Sequence, residues 1–116
     1  MGPEERELLH ALLAHDVPGA EAMRTQVDHA SVVSSCRCGC GSIGFVFARD
    51  AELPPSDAVS PFPAEGRVFD ERAAEVGGLL LFRKDGRLYD LEVMSFFGDP
   101  LALPEASSVR WWRPRS

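Results

Sequence analysis

A β-hairpin over residues 77–97 is the sequence feature that most constrains the fold. In GGLLLFRKDGRLYDLEVMSFF, two strongly apolar runs flank the dipeptide Asp85-Gly86. A two-residue type I′ turn needs positive φ at both positions, and Asp and Gly reach that conformation at low cost. With these two residues as the loop, uninterrupted pairing places Phe82 opposite Tyr89. The stretch therefore predicts an antiparallel sheet.

This register divides the hairpin into two faces. We expect one face in the core, because it carries only apolar and aromatic side chains: Leu80, Phe82, Tyr89, Leu91 and Val93. The opposite face is apolar with charges set into it: Leu79, Leu81, Leu88, Met94, Arg83, Asp90 and Glu92. A surface this apolar is not left wholly to water. We expect the proline-rich loop and the C-terminal tail, or else a partner, to cover it.

Two helices are predicted before any strand. The segment PEERELLHALLAH, residues 3–15, has proline where a first helical turn tolerates it and glutamates near the positive end of the helix dipole. Its leucines repeat at i and i+4, which gives one apolar stripe for packing on a sheet. Pro18 opens a second, shorter helix that continues to Val27.

Short strands follow the helices. Residues 31–36 and 43–47 form a first hairpin, and residues 66–72 form a third, edge-like strand. Residues 51–63 contain four prolines and predict a surface connection. For the tail VRWWRPRS, a strand, a helical turn and an extended segment all stay open. The sequence thus predicts one domain, residues 1–116, of the α+β class: two N-terminal helices packed on an antiparallel meander of about five strands.

Charge and hydropathy exclude several function classes. The formal net charge of -6 argues against sequence-independent nucleic-acid binding, which needs Lys and Arg to neutralise phosphates. The apolar runs are shorter than the about 18 residues of a membrane span. The start of the chain is acidic where a signal peptide is basic, so we expect a cytoplasmic protein. The acidic balance suits a basic protein partner, or solubility alone.

A cysteine-glycine patch is the first candidate site. Cys36, Cys38 and Cys40 alternate at the expected tip of the first hairpin. With His29 as a fourth ligand, or alternatively His10 or His15, they predict a zinc site. The spacing is not the paired CxxC that usually holds zinc, and small reduced thiols filling a hairpin corner explain the patch equally well.

The last hairpin strand carries the second candidate. Asp90 and Glu92 alternate onto one face beside Leu81 and Leu79, an environment that suits a general acid, with Arg83 diagonal to Asp90. A plain charge pair at a sheet edge accounts for the same residues. The chain contains no P-loop, dinucleotide fingerprint, nucleophile elbow or HExxH. We therefore expect no catalysis.

The C-terminal sequence Arg110-Trp111-Trp112-Arg113 is the third candidate. Trp and Arg are the residues most enriched in interface hot spots, so the tail could dock on a partner. Alternatively, the segment folds back and fills the core with one indole.

Three segments together resemble a family of small, uncharacterised bacterial proteins found largely in actinobacteria: ELLHALLAHDVPGAEAMRTQV, CRCGCGSIGFVF and GGLLLFRKDGRLYDLEVMSFFGDPLALP. The resemblance covers most of the chain and implies no activity. In size and charge the chain is also similar to immunity proteins of polymorphic toxin systems, which is analogy and not a shared motif.

The sequence supports three hypotheses about function. The first is a protein-binding module without catalysis that uses a sheet face, with Asp90, Glu92 and Arg83, or the tail, with Trp111 and Trp112. The second is a small zinc-binding protein that uses the cysteine patch. The third is an enzyme with the two carboxylates as acid and base. A homodimer formed through a sheet edge or the hairpin face stays open.

Overall fold

The computed structural model describes residues 1–34 and 41–112 of the chain. Within these residues the chain forms two α-helices, six β-strands and one turn of 3-10 helix. The helices are α1 (Pro3–Leu13) and α2 (Ala20–Val27), and the 3-10 turn is Ala106–Ser108. The strands are β1 (Ser31–Ser34), β2 (Ile43–Val46), β3 (Glu65–Phe69), β4 (Glu75–Lys84), β5 (Arg87–Ser95) and β6 (Val109–Trp112).

All described strands belong to one antiparallel sheet in the order β1-β2-β5-β4-β3-β6. Strands β3, β4 and β5 form a meander, and the β1–β2 hairpin pairs with the free side of β5. The α+β class with N-terminal helices is confirmed, with six strands in the described sheet where about five were expected. The sixth strand is the tail, for which the sequence left three alternatives open.

The prediction that the third strand lies at an edge is wrong. Strand β3 lies between β4 and β6, and Val68 pairs with Val109. Charged residues around Val68 and Phe69 made β3 look like an edge. Those charges point away from the core, because Arg67 is exposed while Val68 is buried. The last described residues supply the outer neighbour, which local sequence around β3 does not reveal.

Both helices contribute to a single core. Leu8, Leu9, Leu12 and Leu13 of α1 are buried, as the i, i+4 repeat predicts. Met23 and Val27 of α2 join the same cluster, together with buried side chains from the sheet. The helices therefore cover one face of the sheet. Neither described helix has the length and apolar character needed to cross a membrane.

The turn of the central hairpin forms where the sequence predicts it. Asp85 has φ 54° and Gly86 has φ 77°, which are the positive values that a type I′ turn requires. Beside the turn, Lys84 pairs with Arg87 and Arg83 pairs with Leu88. The start of the predicted register is therefore confirmed.

Beyond Arg83 the predicted register is wrong, because a β-bulge interrupts the hairpin. Phe82 pairs with Asp90 instead of Tyr89, so two residues of β5 lie opposite one residue of β4. From there on, each residue of β4 is shifted by one position relative to uninterrupted pairing, and Leu80 pairs with Glu92.

The bulge explains why the predicted core face is only partly confirmed: Leu91 and Val93 are buried as predicted, whereas Leu80, Phe82 and Tyr89 lie outside the core. Leu88 and Leu91 are three positions apart, so strict alternation puts them on opposite faces, whereas the bulge lets both be buried. On β4 the buried side chains are Leu79 and Leu81, which the sequence assigned to the other face. Tyr89 is 49% exposed, and Leu80 and Phe82 are only half-buried.

One buried glutamine joins α2 to the hairpin. The Gln26 side-chain oxygen accepts a hydrogen bond from the Leu88 backbone N–H at 2.8 Å. Its Nε2 donates to the backbone oxygens of Gly86 at 2.8 Å and Pro54 at 2.9 Å. Gln26 is fully buried, and these three bonds satisfy backbone groups of the hairpin and of the proline-rich loop.

The proline-rich loop is more than a surface connection. Ser56, Ala58 and Phe62 are buried, and the Phe62 N–H donates to the Leu81 oxygen at 2.7 Å. The loop thus packs along β4 past the end of its pairing with β3. Prolines exclude it from regular pairing, as predicted, but not from the core.

Replacing Gln26 by Ala is expected to destabilise the fold. The change removes the buried partner of the Leu88 N–H and of the Pro54 oxygen, while the Gly86 oxygen keeps the Ser56 N–H at 2.8 Å, so we expect a loss of about 3 kcal/mol in the free energy of unfolding. Urea denaturation followed by circular dichroism measures it. The control is Thr25→Ala, since Thr25 is an exposed neighbour on the same helix. Equal stability of the two variants would contradict the role of Gln26.

Candidate functional site

The candidate site is the sheet face opposite the helices, which we call the outer face. Strand pairing and burial place on it the following side chains: Val33, Val46, Arg67, Leu80, Phe82, Tyr89, Asp90, Glu92, Met94, Arg110 and Trp112. Both described helices and the core lie on the other side of the sheet. The outer face is therefore the broad surface that this part of the chain leaves to solvent.

Apolar side chains form the centre and one side of the outer face. Leu80 and Phe82 on β4 and Met94 on β5 are half-buried. Val33 and Val46, on β1 and β2, are each close to half exposed. Exposed apolar surface is often an interaction site in soluble proteins, so the outer face is a candidate for one.

An open depression of about 390 Å³ lies over the bulge. Its lining combines aromatic rings with charges: Phe82, Arg83, Lys84, Tyr89, Asp90 and Glu92. The bulge creates it, since it turns Tyr89 and Asp90, two consecutive residues, toward the same side. The sequence prediction that Asp90 and Glu92 share a face is confirmed by the pairing.

The neighbours of the two carboxylates differ from those expected. Asp90 lies opposite Phe82 on β4 and Gly44 on β2, and Glu92 lies opposite Leu80. The predicted neighbours Leu81 and Leu79 are in the core instead. The environment is still partly apolar, but it belongs to the outer face.

Asp90 carries an oxygen without a partner. Its Oδ1 is inaccessible to solvent and has no hydrogen-bond partner. Among the described residues this is the only buried side-chain oxygen or nitrogen in that state. Buried acceptors are normally satisfied, so the unpaired Oδ1 is a cost to the fold, while Asp90 as a whole is only partly buried and lines the depression.

Arg83 does not pair with Asp90, contrary to the predicted diagonal contact. Its Nε donates to the Ala58 oxygen at 2.6 Å, and its backbone N–H donates to Ser60 Oγ at 3.0 Å. The bulge separates Arg83 from Asp90, because Arg83 pairs with Leu88 on the turn side of the extra residue. Arg83 therefore holds the proline-rich loop while lining the depression.

Two arginines stack on aromatic rings at the other side of the outer face. Arg67 and Arg110 lie directly opposite each other on β3 and β6. The Arg67 guanidinium is 5.3 Å from the centre of the Trp112 ring, and that of Arg110 is 4.6 Å from the Phe69 ring. Like charges directly opposite repel, and each stacking contact draws its guanidinium away from the other.

The tail fills the core with one indole, which is one of the two alternatives that the sequence left open, while docking of the tail on a partner stays a prediction. Trp111 packs against the core, with its ring 6.3 Å from that of His15 in an edge-on contact. Trp112 points to the outer face and is 44% exposed. One indole fills the core and the next is available for contacts, because consecutive strand residues face opposite sides.

The predicted metal site falls mostly outside the described residues. Cys36, Cys38 and Cys40 belong to the undescribed segment 35–40. His29 is exposed just after α2, and His15 Nδ1 lies 2.8 Å from the Leu12 oxygen. In the two described ranges, no three His, Cys, Asp or Glu side chains converge as metal ligands. Zinc binding by the cysteine patch therefore stays a prediction.

Sequence reasoning missed Arg67, Leu80 and Phe82 as outer-face residues. The available signal was the spacing of Leu88 and Leu91, three apart in a strand of otherwise alternating residues. If both leucines are to lie in the core, the strand must contain a bulge. With a bulge, the predicted core side chains of β4 become Leu79 and Leu81 instead of Leu80 and Phe82.

No family model, curated protein or solved structure matches the chain. Function is therefore inferred from the outer face itself.

Replacing Asp90 by Thr is expected to stabilise the fold. The change removes a carboxylate with an unpaired buried oxygen and introduces a residue that favours strands, so we expect a gain of about 1 kcal/mol. The comparison is Glu92→Thr, a similar change on the same strand with no unpaired buried oxygen. Urea denaturation of both variants measures the difference. If Glu92→Thr raises the free energy of unfolding more than Asp90→Thr does, the unpaired Oδ1 of Asp90 does not destabilise the fold.

Proposed function

We infer that the chain is a protein-binding module without catalysis and that the outer face is its docking surface. The observation that carries this proposal is the apolar centre of that face, formed by Leu80, Phe82 and Met94 on the side away from the helices. Interfaces combine such an apolar centre with a polar rim. Here the rim consists of the carboxylates of β5 and the arginines of β3 and β6.

The composition of the rim supports the same proposal. Tyr89, Trp112 and Arg110 belong to the three residue types that dominate binding hot spots. Both aromatic rings are close to half exposed, and each is stacked with a cation: Lys84 Nζ is 5.1 Å from the Tyr89 ring. Rings held in this way lose little further freedom on binding, which lowers the cost of association.

The carboxylates that line the depression point to the chemistry of the partner. A partner that places an Arg or Lys side chain at the depression would pair with the carboxylates of Asp90 and Glu92. The formal net charge of -6 favours the approach of a basic group.

Photo-crosslinking at position 82 tests the proposed function. With p-benzoylphenylalanine in place of Phe82, we expect a covalent adduct in cells that make the protein, because the side chain lies at the centre of the docking surface. Mass spectrometry identifies the captured chain. An adduct with another protein of complementary charge would agree with an immunity-like role.

The matched control places the same photoreactive residue at position 25. Thr25 is exposed on α2, on the helix side of the sheet, and should give no adduct. If position 25 captures the same protein as position 82, or if only position 25 reacts, the docking surface is not the outer face.

A further inference from the structure

The outer face carries two groups of opposite charge, Asp90 and Arg110, that form no ion pair within the described residues. Asp90 Oδ1 is buried without a donor. No carboxylate in the described ranges forms an ion pair with Arg110, whereas Arg67 has Glu75 at 3.8 Å. The partly buried Asp90 carboxylate, which lines the depression, and the exposed Arg110 guanidinium are thus one anion and one cation of the same face without an ion-pair partner.

These two groups cannot reach each other within one chain. Strands β5 and β6 are separated by β4 and β3, so three strand spacings, about 14 Å, lie between them. The two groups are also displaced along the strand direction. Asp90 lies opposite Phe82, and Arg110 lies opposite Arg67, which pairs with Gly78. Phe82 and Gly78 are four residues apart on β4, which is about 13 Å. On a flat sheet the separation is roughly 19 Å.

Resting on the proposed function of the outer face, we propose that its occupant is a second copy of this chain, docked face to face about a two-fold axis. A two-fold contact is reciprocal: if Asp90 of one protomer meets Arg110 of its partner, then Arg110 of the first meets Asp90 of the partner. One rotation therefore satisfies both groups in both copies.

The apolar residues lie where such a dimer needs them. Strand β4 is between the strands that carry Asp90 and Arg110, so Leu80 and Phe82 fall close to the axis and pack on the partner's apolar centre. A purely basic partner would satisfy Asp90 but repel Arg110, and a purely acidic partner would do the reverse. A second copy presents both charges and an apolar centre at once, and these local contacts must outweigh the repulsion between two chains of net charge -6.

The outer face has the size of a small, reversible interface. Six strands about 4.8 Å apart span about 24 Å, and β4 and β5 run about 30 Å whereas the other four strands run about 13 to 17 Å. The strands therefore cover roughly 570 Å², somewhat less than the about 800 Å² that each partner of a standard interface buries.

Charge reversal with reciprocal rescue tests the dimer. Analytical ultracentrifugation of the purified full chain over a range of concentrations should show reversible dimerisation. Asp90→Arg alone and Arg110→Asp alone each bring like charges together twice per dimer, so we expect the dimer dissociation constant to rise roughly a hundredfold. Combining both substitutions in one chain should restore the dimer, as should mixing the two single variants.

Arg49→Asp is the matched control, since Arg49 is exposed outside the strands and its reversal should leave dimerisation unchanged. Circular dichroism confirms that each variant is folded.

A parent protein that is monomeric at all concentrations overturns the proposed dimer. So does a dimer dissociation constant that the single charge reversals leave unchanged, or one that the double substitution does not restore. Monomeric parent protein together with a foreign adduct at position 82 would overturn the dimer alone and leave the proposed function standing. The absence of any adduct at position 82 would remove both.

Discussion

The β-bulge at Tyr89 and Asp90 is the constraint on which the rest of the structure depends. Without it, Leu88 and Leu91 would face opposite sides of the sheet, and one leucine would lose its place in the core. With it, the leucines share the core and the two residues between them turn outward together. The same single-residue insertion therefore completes the core and builds the depression of the outer face.

Gln26 and the proline-rich loop support the hairpin at this point. The Leu88 N–H, next to the bulge, donates to the Gln26 side chain, and Arg83 ties the loop to the other strand of the hairpin. These contacts come from a helix and a loop distant in sequence, and they hold the turn end of the hairpin against the core. Asp90 is left with an unpaired oxygen in an otherwise well-satisfied region, which is the pattern expected of a residue kept for binding.

Local sequence patterns predicted the elements but not their faces. The leucine repeat of α1 and the Asp85-Gly86 turn depend on neighbouring residues only, and both are confirmed. The choice between the two faces of β4 depends on whether pairing is uninterrupted, and a bulge has no fixed residue signature. The position of β6 beside β3 is a long-range pairing that local patterns do not encode. Of the candidate site, the sequence predicted Arg83, Asp90, Glu92 and Trp112, whereas Arg67 and the apolar centre required the sheet.

Solvent paramagnetic relaxation of leucine methyl protons tests the central claim, that the bulge turns Leu80 outward and keeps its neighbours in the core. In a dilute sample with a soluble gadolinium chelate, the Leu80 methyl signals should broaden strongly. The methyl signals of Leu79 and Leu81 should stay sharp, because both side chains are fully buried. The reverse pattern, with Leu80 protected and Leu79 and Leu81 broadened, would mean that the hairpin pairs without a bulge and that the outer face is misassigned.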